Sequence, residues 1–101
     1  MYEQITFQIV THDNYELTAE VKVLITGSFR EATFHHEAED EREIDIENIA
    51  IFDEDGDPVN KPSQRLLQIV EEHIDDNFIE IYRGATTIDN FHSDYKLRDL
   101  I

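Results

Sequence analysis

"EIDIENIAIF", residues 43–52, is the stretch on which the fold of this chain turns. Ile44 and Ile46 sit on one parity, Ile49 and Ile51 on the other. Successive side chains of a strand face opposite ways, so a regular strand cannot bury all four on one side of a sheet. Two arrangements reconcile the pattern. One is a bulge near Asn48 that resets the register; the other is a strand covered on both faces beyond that point, with a second protomer as the second cover.

Toward the N-terminus, two more stretches carry the strand period. Ile5, Phe7 and Ile9 alternate with Thr6, Gln8 and Val10, and Leu17, Ala19, Val21, Val23 and Ile25 alternate with Thr18, Glu20 and Lys22. The intervening "THDNY" (11–15) holds Asp13 and Asn14, both turn formers, so the two strands form a hairpin. "SFREATFHHEAED" (28–40) shows no sustained alternation and reads as a short strand near Ala32 to His36 or an irregular excursion.

Toward the C-terminus, "DEDGDPV" (53–59) breaks the strand in a tight acidic turn, with Gly56 placed for a positive φ. The next 25 residues, "NKPSQRLLQIVEEHIDDNFIEIYRG" (60–84), predict the main helix over about residues 62–83. Asn60 or Ser63 is the N-cap, Pro62 is tolerated in the first turn, and Gly84 ends the helix. Leu67, Val70, Ile74, Phe78 and Ile81 form one apolar stripe to pack on the sheet. In the tail, Ile88, Phe91 and Tyr95 have helical spacing. Thr87 or Asp89 would cap a short helix that covers a sheet edge, unless the segment waits for a partner to order it. The expected fold is therefore α+β: a single domain, 1–101, whose small antiparallel sheet of three or four strands (mainly 1–60) packs against one main helix (61–84), with a short C-terminal helix or tail (85–101).

The 101 residues carry 24 acidic and eight basic side chains, a formal net charge of −16. That is well outside the magnitude of roughly 2–8 that suits a soluble small domain. Such a surface repels phosphate backbones and anionic lipids, so direct nucleic-acid or membrane binding is disfavoured and the natural partner is a basic protein surface. The absence of cysteine excludes disulfides, thiolate catalysis and sulfur-ligated metals. No secretory leader or membrane-spanning run is evident, which leads to the expectation of a cytoplasmic protein.

Catalytic equipment is missing from the pattern. There is no G-x-S-x-G elbow and no phosphate-cradling loop among three glycines, and exposed, crowded carboxylates do not suggest the raised pKa of a general acid. The expectation is a non-enzyme without cofactor. His35 and His36 point to opposite faces of any strand, and His73 has only Asp76 and Asn77 one helical turn away, so no metal site is expected and the histidines read as solvated. Asp53, Asp55 and Asp57 match the first three oxygen positions of a calcium loop. The glycine then falls at the fourth position instead of the sixth, and Gln64 stands where a bidentate glutamate is required.

What remains is a row of acids. Glu37, Glu39, Glu41, Glu43, Asp45 and Glu47 would, if extended throughout, share one face at spacings of about 6.6 Å, comparable with the path of DNA phosphates. Residues 37–57 hold eleven acidic side chains against one basic one, Arg42. The bland explanation is a solvated strand whose charges discourage sheet-to-sheet aggregation; the functional one is a face that seeks cations. The candidate partner-binding residues are these six with Asp53, Asp55 and Asp57.

The succession of hairpin, irregular loop, "IDIENIAIFDEDGDPV" and the acidic helix "LLQIVEEHIDDNF" resembles, over roughly residues 2–80, small uncharacterised proteins of tailed phages and prophages. Those proteins often carry a proline- and aromatic-rich loop where this chain has "FHHEAEDERE". The resemblance implies a phage-encoded protein acting in a bacterial host. There, small acidic DNA mimics of the anti-restriction and anti-CRISPR type inhibit host nucleases, restriction enzymes or CRISPR effectors by occupying their basic channels. The alternative expectation is a structural or assembly protein, or a homodimeric interaction module, that works through an apolar face.

Overall fold

The alternation of the first 26 residues closes into a long hairpin, β1 (Tyr2–Val10) and β2 (Glu16–Thr26), paired from Tyr2↔Leu24 to Val10↔Glu16. At its turn the Thr11 N–H donates to the Tyr15 carbonyl at 2.9 Å, and Asn14 takes the left-handed conformation at φ 64°. Asparagine tolerates that conformation better than most residues. The computed structural model describes residues 1–27, 29, 30, 39, 40 and 42–101. Short strands β3 (Phe29–Arg30) and β4 (Glu39–Asp40) pair in a separate two-stranded ribbon. The strand expected near Ala32 to His36 lies outside the described residues.

β5 (Glu43–Phe52) adds to β2 antiparallel, and the parity conflict resolves as a bulge. Lys22 faces Asn48 while Val23 faces Ile46, so Glu47 is the extra residue. Ile44, Ile46, Ile49 and Ile51 thereby stand opposite Ile25, Val23, Val21 and Ala19, all on the core side. One chain accounts for the whole pattern, and the second protomer invoked as an alternative cover is not required by it.

Ser63 caps α1 (Gln64–Asp76), its Oγ accepting the Leu66 N–H at 3.1 Å. Asn77 breaks the helix into α1 and a short α2 (Phe78–Tyr82), and Gly84 follows at φ +102°. The buried stripe differs from the expected one: it runs through Leu66, Ile69, Val70, His73 and Ile74, with Ile81 from α2. Leu67, at the flank of that stripe, and Phe78, just past the break at Asn77, are only half-buried.

The helices carry the chain across the core face to the far edge of the sheet. There Thr87 bridges Thr6, and β6 (Phe91–His92) pairs parallel with Ile9 and Val10, giving the strand order β5–β2–β1–β6. The tail covers an edge as expected, but as extended chain. Its helix, α3 (Leu97–Leu100), begins after Tyr95 and is not built on the Ile88–Phe91–Tyr95 spacing. The architecture is α+β: a four-stranded sheet, antiparallel except at β6, under one main helix. Ile5, Phe7, Ile9, Leu17, Val21, Leu66 and Ile74 are almost wholly buried between the two layers. Each contributes roughly 1.5–3 kcal/mol relative to an exposed side chain.

His73 sits inside this core. Its Nε2 lies 2.6 Å from the Asp89 carbonyl, which can only accept, so Nε2 carries the proton. Phe7 and Phe91 pack around the ring at centroid distances of 4.6 and 5.6 Å. The expectation of a solvated histidine fails here because residue 73 lies on the buried face of α1 and its Nε2 proton is hydrogen-bonded to the tail.

Candidate functional site

β5 presents its acids on the face opposite the helices. Glu43 and Asp45 stand across from Thr26 and Leu24, Glu47 projects at the bulge, and all three are exposed. Alternation fixes this: the isoleucines between them are held by the core, so the acids can only face water. Lys22, the basic residue nearest in register, leans away toward β1, its Nζ 4.9 Å from the centroid of the Tyr2 ring. Arg42 turns toward the helices, its guanidinium 5.6 and 5.2 Å from the centroids of Phe78 and Tyr82.

The six-membered row is not a single strand. Glu39 belongs to β4, paired through its backbone with Arg30 in the separate ribbon, while Glu37 and Glu41 lie outside the described residues. The regular sequence period did not reveal this division, because a period of two survives unchanged across any break in the chain path.

Beyond Phe52 the turn draws three acids together. One carboxylate oxygen from each of Asp53, Asp55 and Asp57 lies within 4.8 Å of the others. Asp53 Oδ1 accepts the N–H groups of Asp55 and Asp57, each at 2.9 Å, and the Asp53 N–H donates to the Asp57 carbonyl at 2.9 Å. Gly56 closes the loop at φ +83°. Asp53 is thus the organiser of the turn; Asp55 and Asp57 stand exposed on it. Glu54, which the sequence pattern did not single out, sends Oε1 to the Glu16 N–H at 3.1 Å and pins the turn against the start of β2.

The tail reaches this region from the other side. Asp13 Oδ1 accepts the Leu97 N–H at 3.0 Å and the Thr11 hydroxyl at 2.7 Å. The Thr11 hydroxyl, helped by the Leu97 N–H and the charge of Lys96, holds the Asp13 carboxyl below the usual aspartate range. At the other end of α3, the Leu100 carbonyl accepts from Ser63 Oγ at 2.6 Å and from the Ser63 N–H at 3.1 Å. Contacts between residues 84 and 37 positions apart in the chain carry no local signal, so a sequence reading had no means of finding them.

No helix among the described residues is long and apolar enough to cross a membrane. Fold and surface together define an α+β domain with an acidic strand and turn along one side. Comparison with known protein families, curated proteins and solved structures gave no match.

Proposed function

We propose that the chain is a non-catalytic acidic binding protein, encoded by a phage, that inhibits a host nucleic-acid-handling defence protein in the bacterial cytoplasm by occupying its basic surface as a DNA mimic. A single observation supports this most directly. Glu43, Asp45 and Glu47 are exposed on β5, and the turn holding Asp53, Asp55 and Asp57 continues from the end of that strand. The nearby basic side chains Lys22 and Arg42 are stacked on rings of other elements. Crowding of this kind costs folding stability through repulsion and is offset when a cationic surface docks. Arginine and lysine side chains of the partner would meet the carboxylates in charge-assisted, partly bidentate contacts, and nucleic acid would compete for the same groove.

Pull-down from bacterial lysate, with the wild-type chain beside a Glu43→Lys, Asp45→Lys double variant, tests the reading. The expected partner binds DNA, is displaced by duplex DNA, weakens its hold as salt rises, and is lost from the double variant. A partner retained equally by both proteins and indifferent to salt overturns the reading.

A homodimeric or assembly role is the second reading. It draws on the outer sheet face, where Leu24, Ala50 and Phe52 are only partly covered. Light scattering separates the two: a dimer that survives high salt and dissociates on Phe52→Glu supports assembly.

A further inference from the structure

Between the 53–57 turn and α3 lies a cleft of about 220 Å³. Its apolar lining comes from Tyr15, Leu17, Leu97 and Ile101, and its acidic lining from Asp53, Glu54 and Asp55. The volume is below the roughly 300–1,000 Å³ of sites that take drug-sized ligands, and it suits one long side chain. We infer that this cleft is a socket for a single long basic side chain, arginine or lysine, of the protein's partner.

The match is one of chemistry along the length of that side chain. Lysine and arginine lay an aliphatic stem on apolar surface while the charged head seeks anions. Leu97 and Ile101 offer the surface for the stem, with Leu17 buried at the floor, and the three carboxylates offer the anions for the head. Tyr15, 44% exposed, adds a ring face over which a guanidinium or ammonium is attracted. Lys96 and Arg98, the basic residues flanking the tail wall, are not among the lining residues, so neither of them supplies the cleft with a cation.

Both walls are fixed before any ligand arrives. Asp13 and Ser63 hold the two ends of α3, and Asp53 and Glu54 hold the turn through the hydrogen bonds described above. A preformed socket spares the ordering cost that a flexible one would add on binding. Both hydrogen bonds that the Asp53 carboxylate accepts in the turn end on Oδ1.

The inference rests on the reading that the partner is basic, and nuclear magnetic resonance titration of the full chain tests it separately. The probes are N-acetyl-arginine methylamide, N-acetyl-norleucine methylamide and guanidinium chloride. The arginine probe is expected to shift the amides of Tyr15, Leu17, Asp55, Leu97 and Ile101 along one saturable curve. Guanidinium, lacking the stem, should bind about tenfold more weakly, since even part of three methylenes is worth that much. Asp55→Asn, which removes an exposed charge with no bond to the turn, should weaken the arginine probe about fivefold; Asp45→Asn should leave it unchanged. Shifts that never saturate, that spread evenly over the acids of β5 and α1, or that are matched by guanidinium alone overturn the socket. Those results leave the lysate experiment with the β5 variant standing. A saturable arginine site in a protein whose partner ignores the β5 substitutions would instead overturn the DNA-mimic reading and keep the socket.

Discussion

Ser63 serves two elements at once. Its Oγ accepts the Leu66 N–H to start α1 and donates to the Leu100 carbonyl to finish α3. Ser63→Ala removes both side-chain bonds but leaves the Ser63 N–H on the Leu100 carbonyl, and chemical denaturation should show a loss of about 1 kcal/mol, the ordinary cost of a lost cap. Asp13 plays the matching part at the start of α3, and its role depends on charge. Because its folded pKa lies below its unfolded one, it stabilises the fold above the unfolded value. That contribution fades as pH falls through the ordinary aspartate range, roughly pH 4 and under. Acid titration should therefore release the Leu97 amide resonance in the wild type only at the low-pH end of that window, after ordinary aspartates have protonated. In Asp13→Asn the same resonance should not move in that window. Ser63 was readable as a cap from the sequence, whereas Asp13 was readable only as a turn former. Its second partner is 84 residues away.

At the level of elements, the bulge in β5 can be tested by deletion. Without Glu47 the strand would read Glu43, Ile44, Asp45, Ile46, Asn48, Ile49, Ala50, Ile51, an unbroken alternation with every isoleucine on one side. Deleting Glu47 should change stability by no more than about 1 kcal/mol, because the register is merely regularised. Deleting Ala50 makes Ile49 and Ile51 neighbours and drives one of them to the wet face, so the fold should be lost by circular dichroism. The hairpin and the terminal glycine were legible, and the bulge and the cap each as one of two alternatives, because each is written in residues close together in the chain. The tail was not: β6 is two residues long and exists only because Ile9 and Val10 are there to pair with. Its apolar spacing imitated a helix that the edge of β1 overrides. For the same reason the acidic turn was legible within the candidate site, and the continuous six-acid row was not.

For the molecule as a whole, a formal charge of −16 on 101 residues means that like charges work against the compact state. Added salt should raise the thermal midpoint, by about 4–8 °C if screening recovers about 1 kcal/mol in a domain of this size. The same salt should loosen a basic partner, so stability and affinity move in opposite directions along one titration. The sheet also has unlike margins. Hydrogen bonds from Thr6 to Thr86 and from Ser93 to Val10 tie part of β1 to the tail, while β5, on the other margin, pairs with β2 alone along Glu43–Asn48 among the described residues. The longer open margin among the described residues is therefore that of β5, and a second copy joining strand to strand would meet the sheet there, where the exposed acids of that strand oppose it.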